Sequence, residues 1–202
     1  MSETLDLAQE VRRLKARVEA LERVEKLGPG WEDMRVPLSS LVVGPGAANA
    51  PGFTKVRDNG AGSTGVSTWL FDASQREDLY FACQMPHAWR EGSTCYFHFH
   101  WMPTTSGAGT VVWGIEYTWA NIDAVMGNTT VAVTGDAAAG TAWTHQMTNA
   151  ITLTATGKTA SSMLLCRVYR DAASPGDDYA ADAALLEVDF HYLVDKLGEA
   201  AL

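Results

Sequence analysis

The chain has 202 residues, 47% of them hydrophobic, and a formal net charge of −9 at pH 7. This length accommodates one sizeable hydrophobic core, and the acidic balance opposes binding to nucleic acid or anionic membranes, because neutralising phosphates needs a surplus of Lys and Arg. The sequence has no apolar run of membrane-spanning length and begins without the basic and apolar regions of a signal peptide. We therefore expect one globular domain that neither binds nucleic acid nor inserts into a membrane.

The first predicted element is a parallel coiled coil, because residues 7–24 carry an apolar seam with a 3.5-residue period. Valines occupy the a positions and leucines the d positions. The charges at e and g, Glu10 with Lys15 and Arg17 with Glu22, attract between parallel helices in register. Two to three heptads are marginal alone, so the following domain is expected to assemble as well. The alternative is a lone amphipathic helix docked on its own domain.

Three chains are predicted rather than two. Val at a with Leu at d leans towards dimers, but the run from Arg17 to Glu22 resembles the short trimerisation motif Arg-apolar-x-x-apolar-Glu. In that motif the arginine stem covers the core and its guanidinium meets the glutamate of a neighbouring chain. The predicted trimerisation residues are Leu7, Val11, Leu14, Arg17, Val18, Leu21 and Glu22.

A Gly-Pro-Gly run at 28–30 cannot continue the helix, and the hydrophobic period changes beyond it. The predicted organisation is a coiled coil at 1–27, a Gly/Pro/Ala-rich linker with a first strand and an arm at 28–52, a β-sandwich at 53–195 and a tail at 196–202.

The remainder is predicted to be an antiparallel β-sandwich, with a jelly roll favoured at this size. The clearest strand alternates Phe97, Phe99 and Trp101 with His98 and His100. About ten strand-like runs are separated by turn residues: 35–38, 53–57, 66–71, 79–84, 95–101, 111–119, 129–134, 143–154, 162–169 and 185–192. The fold class is therefore mainly β, preceded by one short helix.

The three cysteines, Cys83, Cys95 and Cys166, are odd in number, and each lies in an apolar strand-like run. This pattern predicts buried thiols rather than a disulfide scaffold, and it indicates folding in a reducing cytoplasm.

His98 and His100 are the candidate metal ligands, because residues two apart on a strand point to the same side. With Gly92 they resemble the first half of the cupin metal motif, but Thr104 and Thr105 stand where that motif has its glutamate, and no second motif follows. The favoured interpretation is that both histidines form hydrogen bonds on a polar or inter-subunit face, without metal.

Two other arrangements would give these histidines a metal. Asp189 and His191, or Glu116, would complete a site if their strands neighbour the strand of His98. In a trimer, the pairs from three chains would meet on the threefold axis.

An enzyme is not predicted. The sequence has no Gly-x-Ser-x-Gly elbow, and no cysteine lies in a basic setting that would activate it.

Of the seven tryptophans, Trp101, Trp113 and Trp119 are predicted to lie in the core, whereas Trp89 lies in a loop where it could stack on a sugar. One further segment is rich in aspartate and is predicted to be either a solvated acidic loop or a calcium-binding loop. Its acidic residues are Asp171, Asp177, Asp178 and Asp182.

Five segments resemble a recurring group of structural proteins of tailed bacteriophages: 84–92, 98–103, 113–122, 161–171 and 188–192. The resemblance implies a virion protein that folds in the cytoplasm of the host bacterium and contacts capsid or tail proteins. With the coiled coil, it implies a homotrimeric capsid decoration protein, head fibre or head spike. The alternatives are a receptor-binding tail fibre that contacts a host cell-surface glycan, and a cupin-like metalloenzyme.

Overall fold

A computed structural model describes residue 7 and residues 9–19, 30–45 and 49–194. Residues 7 and 9–19 are helical (α1), and a single turn of 3-10 helix occupies Leu38–Ser40. No helix in these ranges is long and apolar enough to cross a membrane. The strands are β1 (Gly30–Val36), β2 (Val42–Val43), β3 (Gly52–Arg57), β4 (Val66–Phe71), β5 (Glu77–Gln84), β6 (Cys95–Pro103), β7 (Thr110–Ala120), β8 (Thr130–Ala137), β9 (Gln146–Met147), β10 (Ile151–Leu153), β11 (Met163–Arg170) and β12 (Ala183–Val194).

The strands form two antiparallel sheets, which confirms the prediction of a mainly β sandwich. The first sheet has the order β10-β6-β12-β4-β3, with β1 added beside β12 and β9 beside β6. The second has the order β2-β5-β11-β7-β8. Successive strands β4 to β8 and β10 to β12 are distributed over the sheets in the double Greek-key pattern of a jelly roll.

The core lies between the sheets and is built from alternating strand positions. Phe97, Phe99 and Trp101 on β6 are fully buried, and the ring of Phe99 stacks on that of Trp113 from β7 at 5.1 Å between centroids. Burying a side chain of this size contributes about 1.5–3 kcal/mol. Trp119 is also buried, as predicted.

Two predicted boundaries differ from the structure. The first strand predicted within the 28–52 segment is β1, but it begins at Gly30 rather than at Arg35. It pairs with β12 from Gly30 opposite Val194 to Val36 opposite Val188, so the first sheet already includes part of this segment. The predicted strand at 143–154 is instead the two short strands β9 and β10. The ladder is interrupted at Thr148, whose hydroxyl accepts the hydrogen bond that the Phe99 N–H would otherwise give to a strand carbonyl.

The cysteines are free thiols. Cys95 and Cys166 are buried as predicted, whereas Cys83 is half-buried. Burial raises the pKa of the Cys95 thiol to about 12, so this side chain is protonated and unreactive at neutral pH.

The described part of α1 leaves its apolar seam uncovered within one chain. Leu7, Val11, Leu14 and Val18 are 68%, 44%, 49% and 52% exposed, so the seam is not buried against the sandwich of the same chain. Arg17 lies on the same helix, whereas Leu21 and Glu22 lie outside the described residues. The coiled coil and its trimeric state remain predictions.

A buried ion pair joins the end of β11 to the segment that precedes β12. The fully buried Arg170 guanidinium donates to both carboxylate oxygens of Asp177, at 2.8 and 3.0 Å, and to the carbonyls of Tyr179 and Ala181. It also donates to the carbonyl of Phe71 on β4, in the other sheet. The sequence left Asp177 as either a solvated loop residue or a calcium ligand. The structure instead pairs its carboxylate with the buried Arg170, so Asp177 has a structural role.

Replacing Asp177 with Ala should leave the buried Arg170 charge unpaired and lower the free energy of unfolding by about 3–5 kcal/mol. Urea denaturation measures the change. Lys55→Gln is the control, because it removes the exposed ion pair between Lys55 and Asp58 and should change stability little. Equal stability of Asp177→Ala and the unmodified chain would contradict the assigned role.

Candidate functional site

Polar side chains concentrate on the outward side of β1, β6 and β12, which we call the outer face. Because the alternate positions of these strands fill the core, the residues between them must point away from it. Four of the five histidines of the chain lie on this face or at its rim. The outer face consists of Trp31, Asp33 and Arg35 on β1, Tyr96, His98 and His100 on β6, and Glu187, Asp189 and His191 on β12, with His145 at the rim before β9.

Strand register brings the acidic and imidazole groups together. Asp189 lies opposite His98 on one side and Arg35 on the other, while His191 lies opposite Asp33. The Nε2 atom of His191 is 3.1 Å from Asp33 Oδ1 and 3.1 Å from Asp189 Oδ2. We call Asp33, Asp189 and His191 the carboxylate–histidine cluster.

Asp189 is only 3% exposed although it lies on the outer face. Burial alone would raise the pKa of its carboxyl, but the interaction with His100 and the charges of His191 and His98 hold that pKa below its usual range. The interaction with Asp189 in turn raises the pKa of His100, although burial opposes the shift. Asp189 is therefore a carboxylate at neutral pH and gives the outer face a fixed negative charge.

The two candidate metal ligands, His98 and His100, are oriented by other contacts. The Nδ1–H of His98 donates to the carbonyl of Thr148 at 3.0 Å, and Nδ1 of His100 shares a hydrogen bond with Nε2 of His145 at 2.8 Å. The cluster with metal-binding spacing found among the described residues contains neither His98 nor His100. Both histidines thus form hydrogen bonds within the chain, and the expectation that they bind no metal stays a prediction.

A groove of about 420 Å³ opens on this face and is lined by Asp33, Arg35, His100, His145, Leu186, Glu187 and Asp189. Arg35 donates to both oxygens of Glu187, at 2.7 and 2.9 Å, and this bidentate pair fixes one wall.

Aromatic rings flank the polar residues at one end of the outer face. Trp31 is 53% exposed, and its ring lies 5.4 Å from that of Tyr96, centroid to centroid. Trp31 and Asp33 are two residues apart on β1, so they project from the same side of the sheet. An exposed apolar ring therefore lies next to the carboxylate–histidine cluster.

Several predicted contributors lie elsewhere. Trp89 was expected at the surface, but it is fully buried and packs against Trp119 at 5.6 Å, so it cannot meet a ligand. Glu116 pairs with Arg167 on the second sheet. Thr104 and Thr105, at the cupin glutamate positions, instead contact Asp182 and Tyr179, so this strand end has a structural role.

The residues of β1 and the rim were missed by sequence reasoning. The alternation Trp31-x-Asp33-x-Arg35 is visible in the sequence and indicates one polar face, but the predicted strand began only at Arg35. His145 carries no comparable signal, because it reaches His100 from an irregular segment.

Two other places in the fold have some features of a site. A larger groove of about 720 Å³ lies on the second sheet, lined in part by Tyr80, Leu165 and Arg167, but Arg167 is already paired with Glu116 and Asp78. The hydroxyl of Ser161 lies 2.6 Å from His87 Nε2, as in a nucleophile–base pair. Ser161 is only 4% exposed, however, and therefore has little access to a substrate.

No protein-family model matches the sequence, and no curated protein matches it significantly. Similar solved structures include a family 35 carbohydrate-binding module from Clostridium thermocellum, with 11% identity, a TM-score of 0.44 and coverage of 78% of this chain and 97% of that one. The family 35 module of Abf62 from Cellvibrio japonicus has 9% identity, a TM-score of 0.41 and coverage of 79% and 92%. The CBM22-1 and GH10 modules of xylanase 10B from Clostridium thermocellum, solved with xylohexaose, have 12% identity, a TM-score of 0.42 and coverage of 85% and 29%.

These similarities correct the expected virion role. Each of the three structures is or contains a carbohydrate-binding module, and none is a phage capsid, head-fibre or tail protein or a cupin enzyme, so the expectation drawn from the sequence resemblance is wrong by this comparison. With identities of 12% or less and TM-scores below 0.5, they show nothing about what this chain binds. The chemistry of the outer face is therefore the basis for assigning a function.

Proposed function

We propose that this chain is a non-catalytic carbohydrate-binding domain that holds a neutral oligosaccharide on its outer face. The observation that carries the proposal is the exposed Trp31 ring, packed on the half-buried Tyr96, on the same face as a groove lined by carboxylates, imidazoles and a guanidinium. An apolar ring next to a few fixed polar groups is a common arrangement in binding sites for small polar molecules.

A sugar ring has two kinds of surface, and both have a counterpart here. Its C–H groups pack against an aromatic face, which the half-exposed Trp31 ring offers. Its hydroxyls both donate and accept hydrogen bonds, so they match a mixture of carboxylate acceptors and Arg or imidazole donors. Arg35 and Glu187 hold each other in place, so little side-chain entropy is lost when a ligand binds them.

The charge of the groove selects among sugars. Asp33, Glu187 and Asp189 contribute three carboxylates, against the single guanidinium of Arg35. The chain as a whole has a net charge of −9. Sialylated, sulfated or uronic acid ligands would be repelled, so a neutral glycan is the expected ligand.

Glycoside hydrolysis is disfavoured by the state of the carboxylates. A glycosidase needs one protonated carboxyl as general acid beside an ionised carboxylate. The lowered pKa of Asp189 keeps that group ionised, so this buried carboxyl does not serve as the general acid. Binding without reaction is the activity that these groups support.

We also propose that α1 joins three chains, as the heptad seam predicts. Support comes from the exposure of Leu7, Val11, Leu14 and Val18 in the single chain and from the g/e charge pairs in the sequence. Three domains on one stalk would raise the avidity for a surface with many glycans by orders of magnitude, since later contacts become intramolecular.

Replacing Trp31 with Ala should weaken glycan binding at least tenfold, about 1.4 kcal/mol, because the apolar platform is lost. A glycan array that includes neutral and acidic oligosaccharides identifies the ligand, and isothermal titration calorimetry measures its Kd. Phe53→Ala is the matched control: Phe53 is 58% exposed but lies on β3, away from the groove, and its loss should leave Kd unchanged. No binding by the unmodified chain to any neutral glycan would refute the proposal, as would equal effects of the two variants.

Replacing Leu14 with Asp should break the trimer, because it places a charge in the apolar seam. Light scattering should give the unmodified protein three times the 21.8 kDa chain mass and the variant a smaller mass. Ala16→Asp adds the same charge outside the seam, at the f position, and should remain trimeric. A mass of one or two chains for the unmodified protein would contradict the proposal.

A further inference from the structure

The carboxylate–histidine cluster has the arrangement of a metal-binding site. One ligand atom from each of Asp33, Asp189 and His191 lies within 4.8 Å of the others. All three come from paired strands: Asp33 is directly opposite His191, and Asp189 precedes His191 by two residues on the same side of β12. The sheet register therefore fixes the three donors relative to one another.

The protein alone leaves this cluster with unsatisfied charge. A neutral His191 has at most one proton on Nε2, yet this atom lies 3.1 Å from oxygens of two carboxylates. It can donate to only one of them at a time. The Arg35 guanidinium, the nearby strong cation, is already engaged by Glu187. Two carboxylates thus share one hydrogen atom.

The buried Asp189 carboxylate is only partly satisfied by the protein, because its Oδ2 atom contacts His191 while its other oxygen has no partner among the described residues within hydrogen-bond distance. Its side chain is 4% exposed, and within the described ranges its Oδ1 atom has no hydrogen-bond partner. His100 Nε2 lies 3.7 Å from that oxygen, beyond hydrogen-bond distance. A buried charge is normally paired or coordinates a metal, because an unpaired one is costly to desolvate.

We propose that Asp33, Asp189 and His191 bind one divalent transition-metal ion, with Zn²⁺ the best match to the donors. Donors about 2.0–2.2 Å from a tetrahedral ion lie about 3.3–3.6 Å apart, slightly more than the 3.1 Å between His191 Nε2 and each carboxylate oxygen. One imidazole nitrogen and two carboxylate oxygens suit Zn²⁺ better than Ca²⁺, which prefers oxygen ligands throughout. On binding, Nε2 of His191 would ligate the ion and the hydrogen of the neutral imidazole would lie on Nδ1, while the ion would offset the charge of both carboxylates. The charge selection proposed above for sugars therefore applies to the metal-free groove.

His98 lies beside the cluster but is not among the residues whose donor atoms lie within 4.8 Å of one another, so the three protein donors would leave the fourth position of a tetrahedral ion to water. Because a carbonyl can only accept, Nδ1 of His98 must carry the hydrogen in its contact with Thr148. Nε2 of a neutral His98 is then a lone-pair donor, and the His98 ring lies 4.5 Å from that of His191.

This site does not depend on the proposed sugar binding, and its test contains no sugar. The full chain, free of affinity tags and stripped with a chelator, is titrated with Zn²⁺ in a calorimeter. We expect one ion per chain, with a Kd in the micromolar range or tighter, about −8 kcal/mol or below. Co²⁺ should give the intense visible absorption of a four-coordinate site, and saturating Zn²⁺ should raise Tm.

Asp33→Asn and His191→Gln should each weaken Zn²⁺ binding at least tenfold and abolish the Tm increase. Both side chains are partly exposed, so the variants should fold, and circular dichroism checks this. His145→Gln is the matched control, because it removes a groove histidine outside the cluster and should leave binding unchanged. Failure of the unmodified chain to bind Zn²⁺ saturably would overturn the proposal. So would loss of binding in His145→Gln with retention in Asp33→Asn, which would place the ion between His100 and His145.

Discussion

The packing of the aromatic side of β6 into the core is the constraint on which the outer face depends. Phe97, Phe99 and Trp101 can be buried together only if the residues between them point outwards, which commits His98 and His100 to the other side of the sheet. A shift of one residue in register would exchange the two sides. The large apolar area buried by the three rings therefore holds the imidazoles in place indirectly.

The same strand register buries the negative charge of Asp189 at a position where the packing of the fold does not require a charge. Asp189 is almost completely buried on a face whose other residues, apart from His98, are partly or fully exposed, and its Oδ1 lacks a hydrogen-bond partner in the part of the chain that the structure describes. Buried charges of this kind contribute little to stability, and an apolar residue in their place is often neutral or stabilising. Conflicts with local rules of this kind are expected at functional sites. The exposed Trp31 ring is a second such conflict on the same face.

Much of the fold could be predicted from the sequence, because apolar and polar residues alternate locally along each strand. The strand around Phe97 and the buried Trp113 and Trp119 follow from period-two patterns and from the apolar character of those side chains. The site depends instead on pairing between distant segments. Nothing local in the sequence puts Asp33 opposite His191, which is more than 150 positions away, so the cluster appeared only with the register of β1 and β12. Trp89 was misjudged because a loop residue can still fill the core.

The proposed function requires that the outer face of the first sheet is the surface that meets the ligand. An NMR titration tests this requirement by following backbone and indole N–H chemical shifts while a neutral oligosaccharide is added. We expect shift changes at the Trp31 indole and along β1, β6 and β12, with the second sheet unchanged. Changes confined to β5, β7 and β11, around the larger groove of the second sheet, would show that the ligand binds elsewhere and would refute the assignment of the outer face.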